Sequence, residues 1–153
     1  MEQHIDTSDR ELVITRVIKA PRERVFDAWS DPQHISNWWG PHGFTTTTAA
    51  MDVRVGGHWR FVMHGPDGTD YQNLIVYTEV TRPERLRYDH SDGGANELPS
   101  FKTVVTFEEQ GAHTLLTLRM ICATVEQYEG FKAFGATEGG HQTLERLDQF
   151  LAG

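Results

Sequence analysis

The sequence predicts an α+β fold in which a curved antiparallel sheet of six to seven strands wraps a long C-terminal helix. Three observations carry that prediction. Short β-rich segments separated by turn residues fill the middle of the chain, and two proline-marked helix starts follow the first of them. Beyond Thr124 the apolar period lengthens from two residues to three or four.

Residues 1–10 are polar and aperiodic, and read as a flexible tail before a single folded unit over 11–153. From Glu11 to Ala20, β-branched Val13, Ile14, Thr15, Val17 and Ile18 favour a first strand. Pro21 suits the first helical position, and Val25, Phe26 and Trp29 share one apolar side of a short helix. Asp31-Pro32 repeats the signal with an N-cap acid, and Gly40-Pro41 is the expected end of this second helix. Phe44 to Val53, with four consecutive threonines, reads as a strand. Trp59, Phe61 and Met63 alternate with His58, Arg60, Val62 and His64, which predicts a half-buried strand.

Pro66-Asp67-Gly68 then turns the chain, because proline presets one dihedral and glycine accepts positive φ. Tyr71–Val80 is its hairpin partner, although alternation leaves open which of its faces points inward. Arg85–His90 forms a further strand with Leu86, Tyr88 and His90 on one face, followed by a flexible loop over 91–96. Phe101–Glu109 and His113–Cys122 make the last hairpin. Its inner faces are Phe101, Thr103, Val105 and Phe107, and Leu116, Leu118 and Met120. Thr124 and Gln127 form a capping box. Phe131, Phe134, Glu138, His141, Leu144, Leu147 and Leu151 then follow helical steps and define the stripe expected to face the sheet.

Composition bounds the function. A chain of 153 residues can bury a substantial core. A net charge of −8 without an extended basic cluster argues against nucleic acid as a partner. No run approaches the roughly 18 apolar residues of a membrane span, and no basic-then-apolar leader opens the chain, so the expected location is the cytoplasm and no membrane partner is expected. Cys122 is the only cysteine and sits in an apolar strand, where it reads as a small buried hydrophobe. His58 and His64 are too far apart on one strand to chelate one ion, and no cofactor or metal is implied.

Several groups of residues carry a resemblance. They are Ala20-Pro21, Val25-Phe26-Asp27-Ala28-Trp29, Asp31-Pro32, Trp38-Trp39-Gly40-Pro41, and Asp52 with Gly56-Gly57-His58-Trp59. Pro66-Asp67-Gly68, Glu138-Gly139-Gly140 and Leu144-Glu145-Arg146-Leu147 extend the pattern. In these the chain resembles the helix-grip fold of the START/birch-pollen-allergen (SRPBCC) superfamily. It resembles more specifically the bacterial proteins related to the C-terminal domain of the heat-shock-protein-90 ATPase activator. The resemblance implies a cavity between sheet and C-terminal helix, a homodimer, and a chaperone partner as one option. It does not fix activity, because the superfamily's architecture serves many purposes.

The expected ligand is a small hydrophobic or aromatic molecule. Candidate lining residues are Trp38, Trp39, Phe44, Trp59, Phe61, Met63, Asn73, Tyr88, His90, Phe101, Phe131 and Phe134, which would either line a pocket or fill it. Glu138 and His141 interrupt the apolar helix stripe, where a carboxylate facing the sheet would need a partner. Together with His90 and Tyr88 they are the candidate acid–base groups of an alternative reading as a cyclase- or hydratase-type enzyme. A chaperone-associated interaction module is the other alternative.

Overall fold

The computed structural model describes residues 7–93 and 100–152. The first six residues of the expected tail, and positions 94–96 of the expected loop, lie outside them. The remainder of that tail includes one 3-10 turn, Ser8–Arg10. Seven strands form one antiparallel sheet: β1 (Glu11–Ile18), β2 (Thr45–Met51), β3 (His58–His64), β4 (Asp70–Thr81), β5 (Arg85–Ser91), β6 (Phe101–Gln110) and β7 (His113–Ile121). Their spatial order is β1-β7-β6-β5-β4-β3-β2. Hairpins therefore link every neighbouring pair except β1 and β7, which the whole chain separates. Four helices, α1 (Arg22–Ser30), α2 (Pro32–Ile35), α3 (Val125–Phe134) and α4 (Ala136–Ala152), complete the α+β helix-grip arrangement.

The concave face is built by alternation. Trp59 and Phe61 on β3, Ile75 and Tyr77 on β4, and Leu86 and Tyr88 on β5 are all buried, as are Val105 and Phe107 on β6 and Leu116 and Leu118 on β7. The open question on β4 is answered by its register with β3, which sets Ile75 opposite Trp59 and Asn73 opposite Phe61, and by the burial of Ile75 and Tyr77. The pattern looks ambiguous because Leu74 and Val76 on the other face are apolar too, and a bulge between Tyr77 and Glu79 then shifts the period.

The second helix is shorter than expected and ends at Ile35. The chain leaves it so that both indoles of Trp38 and Trp39 enter the core, with Trp38 Nε1 donating to the Ala28 carbonyl at 3.1 Å. Gly40 does adopt a positive φ of 102°, but in the bend that follows. Trp29 fixes α1 within the same cluster, its ring centroid 4.9 Å from Trp38 and 5.9 Å from Phe107.

The C-terminal stripe needs correction. Gly135, at φ 92°, ends α3 in a left-handed cap, so the segment is two helices rather than one continuous stripe. Within α4, the steps of three from Leu147 back to Glu138 also drift around the axis, since three residues cover only about 300°. Thr143, Leu144 and Leu147 are buried on α4, whereas Phe134, Glu138 and His141 are exposed, with Phe134 at 77 %. Gly140 takes the place expected of the two polar residues. A Cβ there would stand 2.1 Å from Ile14 Cδ1, so the missing side chain lets α4 lie directly on β1. Asp148 secures the same contact, accepting from Arg16 Nη2 at 3.2 Å and from the Lys19 amide at 3.1 Å.

Candidate functional site

The deep interior between sheet and helices is filled by rings. Trp39 packs edge-on to Trp59 at 5.0 Å, and Trp59 stacks on Phe61 at 3.7 Å. Trp38, Trp39, Trp59 and Phe61 are thus core side chains, with exposures between 0 and 9 %. Tyr88 is buried with them, and burial, helped by nearby Tyr77, raises its phenol above the ordinary range. The sequence reading allowed these rings either to line a pocket or to fill it, and they pack against one another.

The concave face runs on past these rings to the ends of β3, β4, β5 and β6 that carry Met63, Asn73, His90 and Phe101, and α3 meets it at Phe131. Met63, Asn73, His90, Phe101 and Phe131 are half-buried there, and Phe44 flanks them on the approach to β2. A row of rings leads outward from the core: Phe61 to His90 at 6.0 Å, His90 to Phe101 at 4.8 Å, and Phe101 to Phe131 of α3 at 5.0 Å. Strand register produces the row, since His90 lies opposite Phe101 on one side and Ile75 on the other. One row deeper, Thr103 lies opposite Tyr88, and its Oγ1 is sealed in without a hydrogen-bond partner.

His90 is the polar centre of this mouth. Its Nε2 is 2.8 Å from Asn73 Oδ1, while Asn73 Nδ2 donates to the Tyr71 carbonyl at 3.0 Å. Burial pushes the imidazole pKa down to about 4, so the ring is neutral at neutral pH.

Sequence reasoning missed Arg146. From α4 its Nη1 reaches the carbonyls of Trp39, Gly40, Pro41 and Phe44 at 2.8–3.2 Å. The guanidinium therefore staples the Trp-Trp-Gly-Pro bend to the long helix and satisfies carbonyls that regular structure leaves free. The available signal was one arginine set between Leu144 and Leu147, the buried positions of its turn.

Glu138 and His141 are not part of the mouth. Glu138 accepts a long bond from Gln142 of its own helix at 3.5 Å, and both residues face outward. A separate open depression of about 390 Å³ lies between α1 and the end of α4, lined by Arg24, Asp27, His34, Phe150 and Leu151. Its charged walls differ from the apolar site expected, and none of the candidate residues borders it. No group of three or more potential metal ligands converges among the described residues. No helix among them is long and apolar enough to cross a membrane.

Comparison with known proteins agrees with the fold. The family profile described as activator of Hsp90 ATPase homolog 1-like protein matches residues 19–152. A solved structure from Mycobacterium smegmatis is 28% identical, with a TM-score of 0.85 over 95% of this chain and 93% of that one. A protein from Arthrobacter aurescens is 27% identical, with a TM-score of 0.87 over 97% and 90% of the two chains. One from Nitrosomonas europaea, 23% identical, shares the fold with a TM-score of 0.86 over 97% of each chain. No curated protein matches the chain.

Proposed function

The chain belongs to the family of activator of Hsp90 ATPase homolog 1-like proteins, a group of ligand-binding or chaperone-associated domains, and from that premise we propose that it binds a small hydrophobic or aromatic molecule at the mouth between sheet and α3. The observation that carries the reading is the half-buried row His90–Phe101–Phe131, which continues the core's packing to the surface. Apolar walls with one oriented polar pair are the usual makeup of a small-molecule site. Trp38, Trp39, Trp59, Phe61 and Tyr88 support the floor, while Phe44, Met63 and Asn73 form its rim.

The acid–base alternative is the weaker reading. Glu138 and His141 face away from the mouth, and an imidazole with a pKa near 4 is a poor proton carrier at neutral pH. A chaperone-associated role draws on exposed Phe134 and Val125 of α3, at 77 and 42 %. Phe134→Asp separates the two: it would weaken association with a purified Hsp90-type chaperone and leave small-molecule binding intact.

A thermal-shift screen with small aromatic compounds tests the main reading. A ligand held at a hundred times its Kd would stabilise the fold by about 2.7 kcal/mol. Phe101→Ala and Phe131→Ala should each remove most of that gain. Gains that survive both substitutions would refute this placement.

A further inference from the structure

The hydrogen bonds around His90 fix which of its nitrogens is free. Asn73 Nδ2 donates to the Tyr71 carbonyl, so the amide turns its oxygen toward the imidazole. An amide oxygen can only accept, and Nε2 must therefore carry the proton. Nδ1 is then a bare acceptor. It makes no hydrogen bond to the described residues, and it is not among the sealed, unpaired polar atoms. The face of the Phe101 ring lies 4.8 Å away at 31°, with Phe131 edge-on beyond it.

Among the described residues, the inward strand positions around His90 carry no charge. Every inward position of β3, β4, β5 and β6 from Trp59 to Phe107 is apolar, aromatic, threonine, asparagine or histidine. The cation nearest the bend, Arg146, is already engaged by four backbone carbonyls. With a net charge of −8 on the chain, these strand positions offer no cation to offset the desolvation of an anion.

We propose, building on the small-molecule reading above, that the mouth selects uncharged, flat aromatic molecules bearing a hydroxyl or N–H that donates to Nδ1 of His90. The ring plane packs along Phe101 and Phe131, and the donor fixes its orientation. Ethers that present only an acceptor, and carboxylates of the same shape, lose that bond and bind more weakly.

Calorimetric titration at pH 7 with 2-naphthol, 2-methoxynaphthalene and 2-naphthoate is the test. 2-Naphthol should bind roughly three- to tenfold more tightly than its methyl ether, the range of one net hydrogen bond. The carboxylate should bind most weakly. In His90→Phe, 2-naphthol and the ether should bind equally. Equal binding of all three to the wild type, or a preference that survives His90→Phe, overturns the selectivity but leaves the small-molecule reading standing. Binding of none overturns both. Independently of any ligand, long-range proton–nitrogen NMR of the free protein should show His90 protonated at Nε2 alone, and a proton on Nδ1 would refute the proposal.

Discussion

Replacing Gly140 by alanine probes how closely the long helix lies on the sheet. In an unobstructed helix the change gains about 1 kcal/mol, because alanine loses less backbone freedom than glycine. Here the new Cβ would stand 2.1 Å from Ile14 Cδ1, whereas carbon atoms prefer about 3.5–4.0 Å. Ile14 is 1 % exposed and has no open space to retreat into. Overpacking of this kind costs about 1–3 kcal/mol, enough to cancel or exceed the helical gain. Gly130→Ala is the internal control, since a Cβ at Gly130 on α3 meets nothing within 4 Å and should stabilise by about 0.5–1 kcal/mol. Ile14→Val removes the offending methyl and leaves the next carbon, Cγ1, at 3.5 Å. Alone it should cost about 0.5–1.5 kcal/mol. In the Gly140→Ala background it should cost nothing or stabilise, giving a favourable coupling of about 1 kcal/mol or more. Urea unfolding of the four-protein cycle reads these values directly. If Gly140→Ala stabilises as much as Gly130→Ala and the coupling is zero, the helix does not rest on β1 as described.

Acid should weaken the fold through His90. Its pKa is lowered by burial from 6.5 to about 4, so the unfolded chain binds the proton more readily. The contribution is fully present above about pH 6.5 and is lost as pH falls toward 4, by about 3 kcal/mol at most. His90→Phe should flatten that part of the stability profile, and an unchanged slope would contradict the burial. Arg146→Met keeps the aliphatic stem but removes a donor shared by four carbonyls, of which those of Trp39 and Pro41 keep a second one in Thr46 Oγ1 and the Phe44 amide, and should cost about 2–3 kcal/mol with a red-shifted tryptophan emission. Glu138→Ala and His141→Ala, at exposed positions, should each change stability by less than about 0.5 kcal/mol.

Much of this arrangement was legible in the chain because a strand's period of two is local. Trp59-Phe61-Met63 and Leu86-Tyr88-His90 announce their inward faces without knowledge of any partner. The features that escaped depend on single irregularities that shift a phase. On β4 the apolar Leu74 and Val76 of the outer face blur the alternation, and the bulge between Tyr77 and Glu79 then shifts it. Gly135 breaks one apparent stripe into two helices, and within α4 the steps of three from Leu147 back to Glu138 drift around the axis, so Glu138 and His141 lie on the outside. The role of Gly140 could not be read at all, since what matters is a distance to Ile14, more than a hundred residues earlier in the chain. His90 was visible as an inward residue. Its tautomer was not, because that depends on the Tyr71 carbonyl turning the Asn73 amide.

The most direct test of a binding mouth beside α3 is chemical-shift mapping of the isotope-labelled protein with an aromatic probe such as 2-naphthol. The expected perturbations cluster at His90, Phe101, Phe131, Asn73 and Met63, while the depression around His34 and Phe150 stays unchanged. Perturbations confined to that depression, or none at saturating probe, would contradict the account.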